Sequence, residues 1–344
     1  MKAKIIAIVL LAGGILAGCG GGSGGSAGTP ATVTINSTNQ ATVTKSALSV
    51  ATQNLGSSLA ASVGGVQTST SPSNDRILFN MADFALQQMA QNPSTTTNVS
   101  GVVTTTNCSS SGTSSVDTDG TASTAATYWT ATYNNCVFTG SAYVYNGTIS
   151  ITGISSTSSA FSATLAFNFN ATSGGTTVSN LVGGFTLTET GKGTATQINT
   201  LSGTSLVLSA SSGSFSLTGA AGTNGFNFTD TFNSNAVNTT TPVIHSNAIN
   251  FAVAITDKVT PANSFAFSAL TTVGQPLVKS SAENYLRSGQ IVVTGAASTA
   301  IRVTILPASS TNLAGTSTGQ LTIELSTDGG KTWGTATTKT WGTL

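Results

Sequence analysis

Charge is scarce in this chain. Charged side chains make up 6% of its 344 residues, against about 25% in an ordinary soluble domain. Eleven Lys/Arg and ten Asp/Glu leave a formal net charge of +1. That balance excludes the basic face of a nucleic-acid binder and the charge blocks of a coiled coil or solvated tail. His245 is the single histidine, so catalysis by several histidines is excluded as well. Aromatic residues reach only 6%, too few for the aromatic girdles of a transmembrane β-barrel. Ser and Thr, by contrast, supply roughly a third of the chain, and Gly adds 38 residues.

The first 30 residues read as an address. Lys2 and Lys4 precede an apolar run from Ile5 to Leu11, the layout of a signal peptide. The run is shorter than the roughly 20 residues of a membrane span. It ends in Leu16-Ala17-Gly18-Cys19, which resembles the bacterial lipobox. That resemblance implies a signal peptide over 1–18, acylation of Cys19, and a lipid anchor as the membrane contact. Gly20 after the cysteine implies the outer membrane, on a face the sequence leaves open. Residues 19–30 form a Gly/Ser tether. Its Gly21-x-Ser23-x-Gly25 matches a hydrolase nucleophile elbow by chance, since neither a strand nor a helix flanks it.

Two regimes of hydrophobic period follow. Thr32–Asn36 alternates as a short strand, and Val43, Ala47, Ala51, Leu55 and Leu59 recur at helical spacing between Thr42 and Val63. A second helix starts at Ser71-Pro72, carries Ile77, Met81, Phe84, Ala85 and Met89 as one stripe, and stops at Pro93. Residues 31–95 therefore read as a helical cap. From about residue 99 the period becomes two: Phe161/Ala163/Leu165/Phe167/Phe169, Phe226/Phe228, Ile249/Phe251/Val253/Ile255, Ile301/Val303/Ile305 and Leu321/Ile323/Leu325 are examples. Gly, Asn and Ser clusters bound each run. The fold class is mainly β: a large antiparallel meander over 96–344, a sandwich or open half-barrel, with two N-terminal helices packed on it. Asn146-Gly147 between alternating runs predicts a two-residue hairpin turn. That register puts Ala142, Val144, Ile149 and Ile151 on the core face with Phe138 and Cys136, and Tyr143 and Tyr145 on the other.

Once Cys19 is acylated, Cys108 and Cys136 remain as an exported pair and read as a disulfide. A wider pattern accompanies them: Ile35-Asn36-Ser37-Thr38-Asn39-Gln40 ahead of Ala47-Leu48, then Cys108, Asp117-Thr118-Asp119-Gly120, Tyr133-Asn134-Asn135-Cys136 and Asn146-Gly147-Thr148. As a set, over about residues 16–150, it resembles a family of proteobacterial envelope lipoproteins. The resemblance implies a disulfide-pinned sheet and carries no activity.

Asp117-x-Asp119-Gly120 resembles the opening of a calcium loop, but Tyr128 stands at the twelfth position, where a bidentate Glu is needed. It reads as a surface turn, with Asp117 and Asp119 as weak metal candidates. Ser326-Thr327-Asp328-Gly329-Gly330-Lys331-Thr332-Trp333 matches the Asp-box S-x-D-x-G-x-T-W, a hairpin turn that is structural in sialidases and other propellers. Ser326, Asp328, Gly330, Thr332 and Trp333 are its defined positions. Trp333 and Trp341, eight residues apart in a repeated Lys-Thr-Trp-Gly-Thr, read as packing residues or, with Tyr143 and Tyr145, as a ligand-stacking platform. His245 has no neighbouring ligand in sequence and reads as a loop residue.

No catalytic constellation and no cofactor motif emerges. The sequence favours a non-enzymatic, outer-membrane-anchored structural or adhesive binding module. Two rivals are a lipid carrier whose helices lid a half-barrel, and a glycan-binding or glycan-active protein. A glycan, a lipid or a protein could each be the ligand.

Overall fold

The computed structural model describes residues 32–51, 85–86, 89, 103–119, 126–138, 141–210, 213–221, 223–233, 242–257 and 264–344. Cys19, the signal segment, the tether, Met81 and Phe84 lie outside them. Among the described residues, helix α1 (Gln40–Ala51) comes ahead of sixteen strands: β1 (Thr104–Asn107), β2 (Ser111–Thr118), β3 (Tyr128–Val137), β4 (Val144–Ser156), β5 (Ala160–Ser173), β6 (Thr176–Thr190), β7 (Gln197–Ala210), β8 (Gly213–Thr218), β9 (Phe226–Phe232), β10 (Ile244–Asp257), β11 (Phe265–Thr271), β12 (Leu277–Ser280), β13 (Gly289–Thr294), β14 (Ala300–Ile305), β15 (Gln320–Ser326) and β16 (Thr337–Thr340). All sixteen join a single meander sheet through antiparallel ladders, as the period-two patterning predicts.

One face of the sheet carries the core. Side chains directly opposite in an antiparallel ladder share a face. Rows such as Ala131–Ile149–Phe167 and Ile291–Val303–Ile323 are therefore continuous apolar bands, and all six side chains are buried. Trp129, Phe185, Phe226, Phe251 and Phe267 are the largest side chains within it.

Helix α1 covers part of this core, with Val43, Ala47, Leu48, Val50 and Ala51 buried against β14 and β15. Asn36 and Asn39 fix its start reciprocally. The Asn36 amide donates to Asn39 Oδ1 at 2.8 Å, and the Asn39 amide donates to Asn36 Oδ1 at 3.1 Å, satisfying donors that a helix start leaves open. The predicted strand over Thr32–Asn36 shrinks to one parallel bridge, Thr32 to Ala266. The predicted continuation of the first helix beyond Ala51 lies outside the described residues. Of the second predicted helix, Ala85, Leu86 and Met89 are described, and all three are helical. Ala85 and Met89 are buried in the main core.

Asn146-Gly147 makes no hairpin turn. Both residues lie inside β4, which runs straight through them and pairs β3 on one side and β5 on the other. Gly147 has φ 105° and sits so close to β5 that a Cβ would lie 2.0 Å from the Asn168 carbonyl oxygen. The glycine thus serves a close backbone approach within a strand. Opposite it, the β3 register shifts between Tyr133 and Cys136. Asn135, at φ 48°, donates its amide to Asn146 Oδ1 at 2.8 Å. The straight course reverses the face of Tyr145. A two-residue turn would put it opposite Thr148, whereas a continuous strand aligns it with Ile149 and Ile151, toward the core. Ala142 is exposed and Val144 half-buried, so neither joins the core as expected. Cys136 is fully buried and Phe138 packs against the core, as expected.

β10 sits between two interrupted neighbours. On one edge it pairs β9 over His245–Asn250 and β8 over Ala252–Asp257. On the other it pairs β12 over Ile244–Asn247 and β11 over Asn250–Ile255. Each neighbour is one strand position filled by two segments. At the second break the buried Thr271 hydroxyl takes over the ladder. It accepts the Ile249 amide at 3.0 Å and donates to the Ile249 carbonyl at 3.3 Å, satisfying both backbone groups.

Candidate functional site

The Asp-box folds as a turn organised around Asp328, with its Gly329 amide donating to the Ser298 carbonyl at 2.6 Å. Asp328 Oδ1 accepts the Ser326 hydroxyl at 2.7 Å and the Lys331 and Thr332 amides at 3.0 Å each, while Oδ2 accepts the Thr332 hydroxyl at 2.6 Å. The Thr332 hydroxyl, followed by its amide and the Ser326 hydroxyl, holds this carboxyl well below the usual carboxylate range. Gly329 and Gly330 take φ 77° and 86°, which Ala would resist.

Trp333 and Trp341 do not form one platform. Trp333 lies beneath the Arg302 guanidinium, whose Cζ is 4.7 Å from the ring centroid. Arg302 in turn forks to Glu324, with two bonds of 2.7 Å. These residues stand on the outer face, alternating with the buried Ile301, Val303 and Ile323. Trp341 instead packs against the core and beside Tyr285, with centroids 5.5 Å apart. Tyr145 belongs to a core-side aromatic group with Phe138 and Phe169, and Tyr143 touches its edge. Their predicted role as an outward stacking pair fails with the strand parity.

Asp117 and Asp119 are engaged by their own chain. The Tyr128 hydroxyl donates to Asp117 at 3.0 Å, and Asp119 accepts the Thr127 hydroxyl and the Thr127 and Tyr128 amides. The Thr127 hydroxyl is the main reason the Asp119 carboxyl is lowered. Among the described residues, no three His, Cys, Asp or Glu side chains gather as metal ligands. Cys108 and Cys136 form the expected disulfide, with Cα atoms 5.5 Å apart.

The most unusual chemistry sits at His245, a residue without a ligand-like neighbour along the chain. His245 is a strand residue in β10, and its Nδ1 lies 2.9 and 3.2 Å from the two carboxylate oxygens of Asp230 in β9. The Asp230 side chain is 3% exposed and that of His245 is 23%. The Phe232 ring lies beside the imidazole, with centroids 5.1 Å apart. Asp230 occupies a core-face position in Phe226-x-Phe228-x-Asp230-x-Phe232, so a carboxylate interrupts an aromatic stripe. That interruption was the available signal, but its partner 15 residues away is visible only through the β9–β10 register.

Neighbouring strands turn polar at the same level. One core-face row runs Phe161–Glu189–Asn199–Asp230–Asn247–Leu277 across five ladders. The next row outward runs Gln197–Phe232–His245–Lys279. The row just inward, Leu187–Leu201–Phe228–Ile249, is wholly apolar and buried. The core face thus ends in a polar belt built from β6, β7, β9, β10 and β12.

No protein-family model matches the chain, and neither does any curated protein or solved structure.

Proposed function

We propose that this chain is a non-enzymatic envelope module, tethered to the outer membrane through an acylated Cys19, that binds a partner surface through the outer face of its sheet. The observation that carries this reading is the composition of that face between β3 and β9. One row runs Thr152–Thr164–Thr186 and on to Ser202 and Asn227; another runs Thr130–Ser150–Ala166–Gly184–Ser205–Thr218. Hydroxyls bond across the strands at 3.0 Å for Thr164–Thr186 and 3.1 Å for Thr130–Ser150. These rows contain no charged side chain, so they offer a regular array of hydroxyls and methyls without ionic steering. Such a face suits an uncharged glycan or protein surface. The large side chains filling the core face favour this reading over a lipid carrier, and the guanidinium covering Trp333 disfavours it as a sugar-stacking ring.

Two variants test the proposal on cells expressing the full chain. Cys19→Ser should abolish lipid labelling and release the protein from the envelope. Thr164→Lys, at an exposed position, should leave anchoring and melting intact but reduce adhesion to the partner surface. Continued labelling and anchoring without Cys19, or adhesion indifferent to Thr164→Lys, would overturn the respective half of the reading.

A further inference from the structure

We infer that the polar belt around His245 is a second binding site, independent of the outer face, which recognises a neutral polyhydroxylated ligand such as a sugar residue. Burying a carboxylate is unfavourable unless it is paired and hydrogen-bonded. A Phe at position 230 would simply continue the stripe of Phe226, Phe228 and Phe232. A position where the core departs from its own pattern is where function is expected. Asp230 engages His245 through Nδ1, which fixes the ring and turns Nε2 away from the carboxylate. The imidazole is part-exposed, so solvent reaches the site that Asp230 orients.

The surrounding groups define the ligand. Gln197 and Asn199 carry amides that both donate and accept, which matches hydroxyl groups that do the same. Gln197 Nε2 already donates to Asn199 Oδ1 at 2.8 Å, which ties the two amides together. Phe232, beside His245, adds an apolar wall for the C–H face of a sugar ring. Glu189 and Asp230 in one row are answered by Lys279 in the next, so the belt offers no field of one sign to favour a charged ligand. A metal ion is disfavoured because no three candidate ligands converge among the described residues.

The test is an array of neutral and acidic oligosaccharides probed with the full folded chain. Binding to neutral glycans should fall about tenfold or more in Asn199→Ala and His245→Ala, the effect of losing a hydrogen bond in a partly buried site. Gln197→Ala, in the outermost row, repeats the test where substitution perturbs the core least, and melting curves identify variants that fail to fold. Absence of binding by the wild-type chain, binding confined to acidic glycans, or neutral-glycan binding unchanged in folded belt variants would overturn the inference. Loss in Thr164→Lys alone would do the same while supporting the outer-face reading.

Discussion

The ring of Tyr145 stacks on that of Phe169, with centroids 5.6 Å apart and planes 15° from parallel. The contact exists because β4 passes straight through Asn146-Gly147, which brings Tyr145 to the core side. Burial raises the Tyr145 phenol above its ordinary value, and that of Tyr133 beside Phe169 likewise. Tyr145→Ala should therefore destabilise by about 3 kcal/mol, as for a large side chain lost from a packed site. Thr148→Ala, at a half-buried position in the same strand, should cost under about 1 kcal/mol. Chemical denaturation of the two variants checks this. Equal losses would place Tyr145 outside the core.

Gly147 offers a sharper test of the same geometry. Gly147→Ala places a methyl 2.0 Å from the Asn168 carbonyl oxygen and should prevent native pairing of β4 with β5. Gly153→Ala meets nothing within 4 Å, although Gly153 has φ 60°. It should lose only the conformational cost, roughly 1 kcal/mol. Circular dichroism and melting curves would separate a local strain from a broken ladder.

Thr271 substitutes for ladder hydrogen bonds at a break in the sheet. Thr271→Val keeps the shape but leaves the buried Ile249 amide and carbonyl without that partner. A loss of about 2 kcal/mol or more is expected, against near-neutral behaviour for Thr164→Val on the exposed face. Urea denaturation measures both.

Reduction of the Cys108–Cys136 disulfide opens a loop with a sequence separation of 28. The chain-entropy treatment assigns such a loop about 3–4 kcal/mol. Cys108→Ser/Cys136→Ser should lower the urea midpoint accordingly, and reducing agent should then have no further effect on the variant.

Asp328 gives a prediction with a pH sign. Its carboxyl is held below the usual range in the folded chain, so the unfolded chain binds the proton more readily. The stabilisation is complete above about pH 3.9, the ordinary Asp value, and disappears as the pH falls through the lowered one. Asp328→Asn should melt below wild type at neutral pH, and the two should converge on acidification. A gap that stays constant down to acidic pH would mean that the carboxylate charge contributes nothing to the turn.

Much of the fold is legible in the sequence because one face of the sheet is buried. Alternation along Phe161–Phe169, Ile249–Ile255 and Ile301–Ile305 reports that face directly. The Asp-box is legible for a different reason: the hydrogen bonds to its Asp328 carboxylate are local, from Ser326, Lys331 and Thr332. Asn146-Gly147 misleads because turn propensity is a local preference. Here it is overridden by pairing with strands on both sides, and the misplaced turn inverts the face assigned to Tyr145 beside it. The Asp230–His245 pair is invisible for the complementary reason. Neither residue has a chemically distinctive neighbour along the chain, and only cross-strand register brings them together.

The two breaks beside β10 fall almost level with each other, at Phe251 on one edge and at Ala248–Ile249 on the other. They form a fault line across three strand positions. On one side lie β8, β11 and the upper part of β10, whose Phe215, Leu217, Val253 and Phe267 are buried in the main core. On the other lie β9, β12 and the His245 end of β10, where the core face turns polar and β12 pairs β10 only over Ile244–Asn247. Local opening follows such boundaries. Amide exchange should therefore reach Thr231, Ser246 and Val278 well before Ser216, Ala254 and Ser268, so that the belt can breathe on its own while the hydroxyl face above it stays flat and fixed.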